Sequence, residues 1–190
     1  MIDSALEILK TVITNYLSAL PELNINSTDF VELTSLVNQE GKIELSENTI
    51  GLTLVNVEEE RVTKSQKPVQ ISSDGMVSEV NPEIKLNLFM LVTSNFKKYD
   101  TGLQYLSAVI RCFQSRNVFT PDSTPEMDPA LKKLIVELFT LNLEQQNHLW
   151  GSLGAKYMPS VIYRLRLVTV QEAVKKSEQA PIRSYDINTG

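Results

Sequence analysis

Apolar residues near the start of the chain recur at three- and four-residue steps: Ile2, Ala5, Leu6, Leu9, Val12, Ile13, Tyr16, Leu17 and Leu20. That period gathers them into one stripe, which predicts an amphipathic helix over 4–20 that packs on the protein's own sheet. Ser4 and Glu7 have the S-x-x-E spacing of a capping box, and Pro21 marks the end.

The period then switches to two. Residues 29–37 read as a strand followed by a polar turn at 38–42. In 49–61, Ile50, Leu52 and Leu54 alternate with Thr49, Gly51, Thr53, Val55 and Val57, giving a longer strand that ends in charge. Over 81–96, Ile84, Leu86, Leu88, Met90 and Val92 form one face while Phe89 and Leu91 make the other face apolar too. A strand covered on both sides has that pattern, so it belongs inside the sheet. Further strands are predicted over 131–141 and 161–170.

Helical spacing returns over 99–116, with Asp100 or Thr101 as cap and Leu103, Leu106, Val109, Ile110 and Phe113 inward. Residues 142–154 form a short helix: Asn142 with Gln145 makes a capping pair, Leu149, Trp150 and Leu153 share a face, and Gly154 suits the left-handed stop. The connection 117–129, with Pro121, Pro125 and Pro129, reads as a loop. Residues 62–80 are polar and turn-rich and read as a long β-hairpin arm or a mobile loop; the Asp74-Gly75 pair favours a hairpin tip, and a segment this long is expected to make contacts. Residues 172–190 read as a polar tail without a core pattern.

Strand 161–170 raises the main question. Val161, Tyr163, Leu165 and Leu167 share one face, and Ile162, Arg164, Arg166, Val168 and Val170 the other. Two arginines thus stand side by side on an apolar strand.

Composition changes this picture little, but charge does. With 42% hydrophobic and 22% charged residues in 190, the chain has globular composition and length for one core. A net charge of −5 argues against a partner that must be held by its phosphates, so nucleic acid is not expected. The charge is uneven: residues 1–60 carry two basic residues against eleven acidic ones, a balance of −9, which leaves +4 for 61–190. Such a split suits complementary copies packed head to tail, or it reflects scattered solvated charges. No apolar run approaches the roughly 20 residues of a membrane span, and the first ten residues carry acids where a leader would be basic. Cytoplasmic assembly without direct membrane insertion is therefore expected.

Candidate chemistry is sparse. Cys112 is the single cysteine and sits in a helical pattern beside Val109 and Phe113, as a buried inert thiol would. His148, the single histidine, has no motif partner, and Asp122 with Glu126 is too ordinary a loop pair to nominate as acid and base. Glu58, Glu59 and Glu60 point alternately to opposite faces of a strand and cannot converge on one ion without a bend. Seven glycines leave no phosphate-cradling motif. No catalytic residue, cofactor or metal site is expected, and residue chemistry alone leads to a domain of helices and strands with no visible active site.

Three blocks in order nevertheless resemble a known family. Residues 81–120 are similar to its strand, its F-x-x-Y step at Phe96 and Tyr99, and its helix closing at Phe113-Gln114 before Val118-Phe119. Residues 131–170 resemble its Trp–Leu-Gly–Tyr–Pro-Ser–Tyr–Arg run, here Trp150, Leu153, Gly154, Tyr157, Pro159, Ser160, Tyr163 and Arg166, and residues 1–17 fit its first helix. The family is the Pvc16 N-terminal family, also called DUF4255, whose members are tail-terminator or cap proteins of phage-tail-like contractile injection systems.

The resemblance implies a phage tail-terminator-like α+β fold over 1–171: a mixed, mostly antiparallel sheet packed by two main helices plus one short helix, with the arm at 62–80 and the tail at 172–190. It implies a hexameric ring on the last inner-tube layer that stops tube and sheath polymerisation and anchors the sheath end. The partners are then the chain itself, tube protein and sheath protein, and the chain is a component of an injection particle. Arg164, Arg166 and Arg111 are the expected tube or subunit interface, unless the two strand arginines are merely solvated on an edge strand. Lys64, Lys67, Pro68, Asp74 and Gly75 form the expected sheath-contact arm. Trp150, Gly154, Tyr157, Pro159 and Tyr163 are expected to be structural. A terminator or neck protein of a contractile phage, a small enzyme using His148, and a monomeric binding module are the alternatives.

Overall fold

The computed structural model describes residues 1–23, 25, 27, 29–60, 69–71, 77–79, 85–128, 131–169 and 178–179. Among the described residues, three α-helices, α1 (Ile2–Ser18), α2 (Tyr99–Ser115) and α3 (Leu143–Leu153), accompany nine strands. The strands are β1 (Val31–Leu33), β2 (Thr49–Glu59), β3 (Val69–Ile71), β4 (Val77–Glu79), β5 (Lys85–Asn95), β6 (Val118–Phe119), β7 (Leu131–Phe139), β8 (Ser160–Thr169) and β9 (Glu178–Gln179).

Six strands form one sheet in the order β1-β2-β5-β8-β7-β6, parallel only between β1 and β2. The expected α+β class with a mostly antiparallel mixed sheet is what the chain adopts. Strand β5 lies centrally, as its two apolar faces require. Helices α1 and α2 close the first face, where Leu9, Ile13 and Val109 meet Ile50, Leu88, Met90, Leu134, Leu165 and Leu167 in one buried cluster. Fully burying each such side chain contributes about 1.5–3 kcal/mol, which makes this face the main source of stability. On the second face a smaller cluster joins Leu36, Leu45, Leu91, Trp150 and Ile162 beneath α3.

Several local expectations need correction. Helix α1 starts at Ile2 with Met1 as N-cap, so Ser4 lies inside its first turn; the Ser4 hydroxyl accepts from the terminal ammonium at 3.2 Å. Helix α2 is capped by Lys98 and buries Gly102, Tyr105, Ala108 and Cys112 with Leu106, Val109 and Phe113, whereas Leu103 and Ile110 are 39% and 38% exposed. Small residues set that arc because they let the helix approach the sheet: a Cβ on Gly102 would sit 2.8 Å from Ser94 Oγ, which donates to the Gly102 carbonyl at 2.9 Å. Strand β1 is only three residues long. After Thr34 and Ser35 the chain turns at Leu36, whose φ of 57° drives its side chain under the second face. The loop 117–129 contains a two-residue strand, β6, that pairs with β7.

Between β2 and β5, strands β3 and β4 pair as the hairpin expected there, and β9 from the tail joins β4 to make a separate three-stranded sheet. Strand β9 is the described part of the tail. Lys64, Lys67, Pro68, Asp74 and Gly75 lie outside the described residues.

Candidate interaction surface

Register decides what the second face presents. Thr53, Leu91, Ile162 and Phe139 stand abreast on β2, β5, β8 and β7. Helix α3 covers this row: Asn142 accepts from the Gln145 amide at 2.8 Å, Gln145 returns a bond at 3.0 Å, and Gly154 ends the helix at φ 67°. The expected capping pair and left-handed stop are both present.

Two residues further along, Phe89 pairs with Arg164 and Arg164 with Glu137; beyond them Asn87 pairs with Arg166 and Arg166 with Ile135. Gln145 and Leu149 of α3 border the first of these rows, where Phe89 packs against the smaller core. Arg164 donates from Nε and Nη2 to Glu137 Oε2 at 3.1 and 2.6 Å, while Arg166 Nη1 stands 3.6 Å from Oε1. Side chains two apart on a strand share a face about 6.7 Å from each other, so the arginines repel unless an acid stands opposite. Glu137 is that acid. One carboxylate serves two guanidiniums, each side chain 40% exposed, and the cluster keeps a net charge of +1. Strand β8 is interior, which removes the edge-strand reading of its arginines.

Beside the charged cluster lies a groove of about 330 Å³ between α3 and the sheet, lined by Val55, Asn56, Glu58, Phe89, Phe139 and Leu149 among others. Phe89 and Phe139 form its floor as an edge-to-face pair, 5.0 Å between centroids.

The remaining expected residues are dispersed. Arg111 on α2 bonds Glu22 at 3.1 Å, on the opposite side of the sheet from Arg164. Trp150 is buried edge-on to exposed Tyr157, and its indole N–H has no partner among the described residues. The Pro159 carbonyl accepts from Ser94 N at 2.9 Å and seats the start of β8. Tyr163 packs on Phe113 in the main core, where burial pushes its phenol upward. Burial likewise pushes the Cys112 thiol up to about 11, as suits an inert thiol. His148 is exposed on α3, and Asp122 and Glu126 are exposed in the loop after β6. Among the described residues, no group of three or more His, Cys, Asp or Glu could hold a metal ion, and no helix is long and apolar enough to cross a membrane.

Sequence reading missed Glu137. Alternation puts it on the polar side of β7 with Lys133, but only the insertion of β8 beside β7 reveals what it faces.

Comparison with known proteins bears on this fold. The Pvc16 N-terminal domain model matches residues 4–184. No curated protein is similar in sequence. Among solved structures, the "PVC sheath/tube terminator in extended state" of an extracellular contractile injection system superposes with a TM-score of 0.66 at 12% identity, covering 100% of this chain and 63% of that one. The "anti-feeding prophage cap (AFP tube terminating cap)" gives a TM-score of 0.53 at 15% identity, over 73% of this chain and 48% of that one. This chain thus spans less than two thirds of the length of either. A match over nearly all of its residues nonetheless assigns it: the chain belongs to the Pvc16 N-terminal domain family.

Proposed function

We propose that the chain is a structural cap of a contractile injection particle. Copies form a ring, a hexamer by the family resemblance, on the last inner-tube layer, stop tube and sheath polymerisation, and hold the sheath end. The observation that carries this reading is the superposition of the whole chain on the sheath/tube terminator. A cap works by shape: one side complements the tube end, and the other offers no surface for the next layer. No catalysis is required, and no described feature calls for a cofactor.

The hairpin β3-β4 and the tail strand β9 support a second element of the reading. In the order β3-β4-β9 the outer strands come from the arm and from the tail, and outer strands are where a further strand adds. The arm and tail accordingly exchange strands with the last sheath layer.

Electron microscopy of negatively stained particles from cells lacking the chain tests the proposal. Tubes or sheaths of uncontrolled length are expected; particles of normal length that still fire would sink it. Chains lacking 62–80 or 172–190 should cap the tube yet shorten or uncouple the sheath, and particles identical to wild type would remove the strand-exchange element.

A further inference from the structure

The loop between β1 and β2 is built to project. Leu36 and Leu45 anchor it in the smaller core. Between them, the Asn38 side chain accepts from the amides of Glu40 and Lys42 at 3.0 Å each, Asn38 N donates to the Lys42 carbonyl at 2.9 Å, and Gly41 turns the chain at φ 75°. A turn tied this way is ordered before it meets a partner, so docking it costs little conformational entropy. At its end Ile43 is 50% exposed, and Glu40 and Lys42 form an ion pair at 2.8 Å beside it. Among the described residues, Ile43 belongs to neither buried cluster.

The groove on the second face has the converse character. An apolar cavity of about 150 Å³ already admits a benzene molecule. The groove's 330 Å³, floored by Phe89 and Phe139, therefore has room for an isoleucine side chain. Its lining includes Glu58 on β2, and two strands away in the same row, outside the lining, stands Arg166 on β8. Two strand spacings put these opposite charges about 10 Å apart. Among the described residues, Arg166 makes only the long contact to Glu137, whose other oxygen already takes both bonds from Arg164. A second carboxylate would bring the cluster to two acids and two bases.

We propose that the 36–45 loop of one copy docks in this groove of the next. Ile43 enters between Phe89, Phe139 and Leu149, Glu40 completes the Arg164–Glu137–Arg166 cluster, and Lys42 meets Glu58. Docking trades the exposed Glu40–Lys42 pair of the free loop for these two contacts, and a surface pair of that kind costs little to part. A second copy is the occupant favoured by charge, since the loop belongs to the part of the chain that sums to −9 and the arginines to the part that sums to +4. Loop and groove are different surfaces, so the contact is heterologous and continues from copy to copy until a ring closes. The inference rests on the cap reading and names the contact that joins its subunits.

Cysteine cross-linking tests it, on assembled particles and on the purified full chain at high concentration. The double variant Ile43→Cys with Asn56→Cys, both exposed positions, should give a ladder of disulfide-linked multiples under oxidation, whereas neither single variant should. In that background Arg166→Glu or Glu40→Arg should each lower the ladder about tenfold or more, and the two together should restore most of it. Cross-links to a tube or sheath protein in place of a second copy, or a ladder indifferent to both reversals, overturn the inference. So does absence of a ladder in particles that carry the chain at a normal end, an outcome that leaves the cap reading intact. The purified chain reads the contact separately if the cap reading itself falls.

Discussion

The two faces of the main sheet are made by alternate residues of the same strands, yet they answer to different constraints. On the first face Leu88, Met90, Leu165 and Leu167 are closed under α1 and α2, and their identity is fixed by packing. On the second face Leu91 and Ile162 are closed under α3, while Arg164, Arg166 and Glu137 continue past the end of that cover. Period two therefore writes two messages on one strand: a core that holds the fold, and a half-buried surface whose chemistry suits a contact.

Neighbouring residues of strand β8 put that contrast to the test. Leu165→Ala removes a fully buried side chain from the first face and is expected to cost about 2–5 kcal/mol in urea unfolding. Arg166→Met, one residue further on, is expected to change stability by less than about 1 kcal/mol, because its ion pair is long and half exposed. Equal losses at the two positions would show that both faces are structural core.

Alkaline titration separates the faces next. Burial on the first face pushes the Cys112 thiol from its ordinary 9.0 up to about 11, and it pushes the Tyr163 phenol in the same direction, with help from the neighbouring Cys112. The folded state thus keeps a proton that the unfolded chain releases. Stability should be level below about pH 9 and fall as the pH rises from 9 towards 11, with the sign set by the unfolded state binding fewer protons. The urea midpoint at pH 8 and pH 10 measures this, and Cys112→Ala should flatten the decline. A midpoint that rises with pH, or a Cys112→Ala slope equal to wild type, would contradict it.

The fold was legible in the sequence wherever a pattern was local and long. The period of 2–20, the doubly apolar run of β5 and the Asn142–Gln145 box with Gly154 each name their element, because the interactions that form it lie within a few residues. Where the deciding partner was distant, reading failed. Leu103 and Ile110 looked inward because counting only large apolar residues overlooked Gly102, Ala108 and Cys112, whose small size sets the close approach of α2. Strands β6 and β9 have two residues each and exist only through their partners β7 and β4. The candidate surface was half legible: the arginines were visible as a breach in an apolar strand, but Glu137 is joined to them by strand order, which no local pattern encodes.

The smallest effect is the most informative about the second face. A double-mutant cycle in the isolated chain, with Glu137→Gln crossed against Arg164→Met and then against Arg166→Met, reads the two arms of the cluster separately. Arg164 holds Oε2 through two bonds, so its coupling to Glu137 should reach about 0.5–1 kcal/mol at low salt. Arg166 meets Oε1 only at 3.6 Å, and its coupling should fall below about 0.3 kcal/mol. Both should shrink with added salt, because these side chains are reached by counterions. A coupling for Arg166 as large as that for Arg164 would mean that Glu137 already satisfies both guanidiniums in the free chain, leaving the surface no unanswered charge to offer.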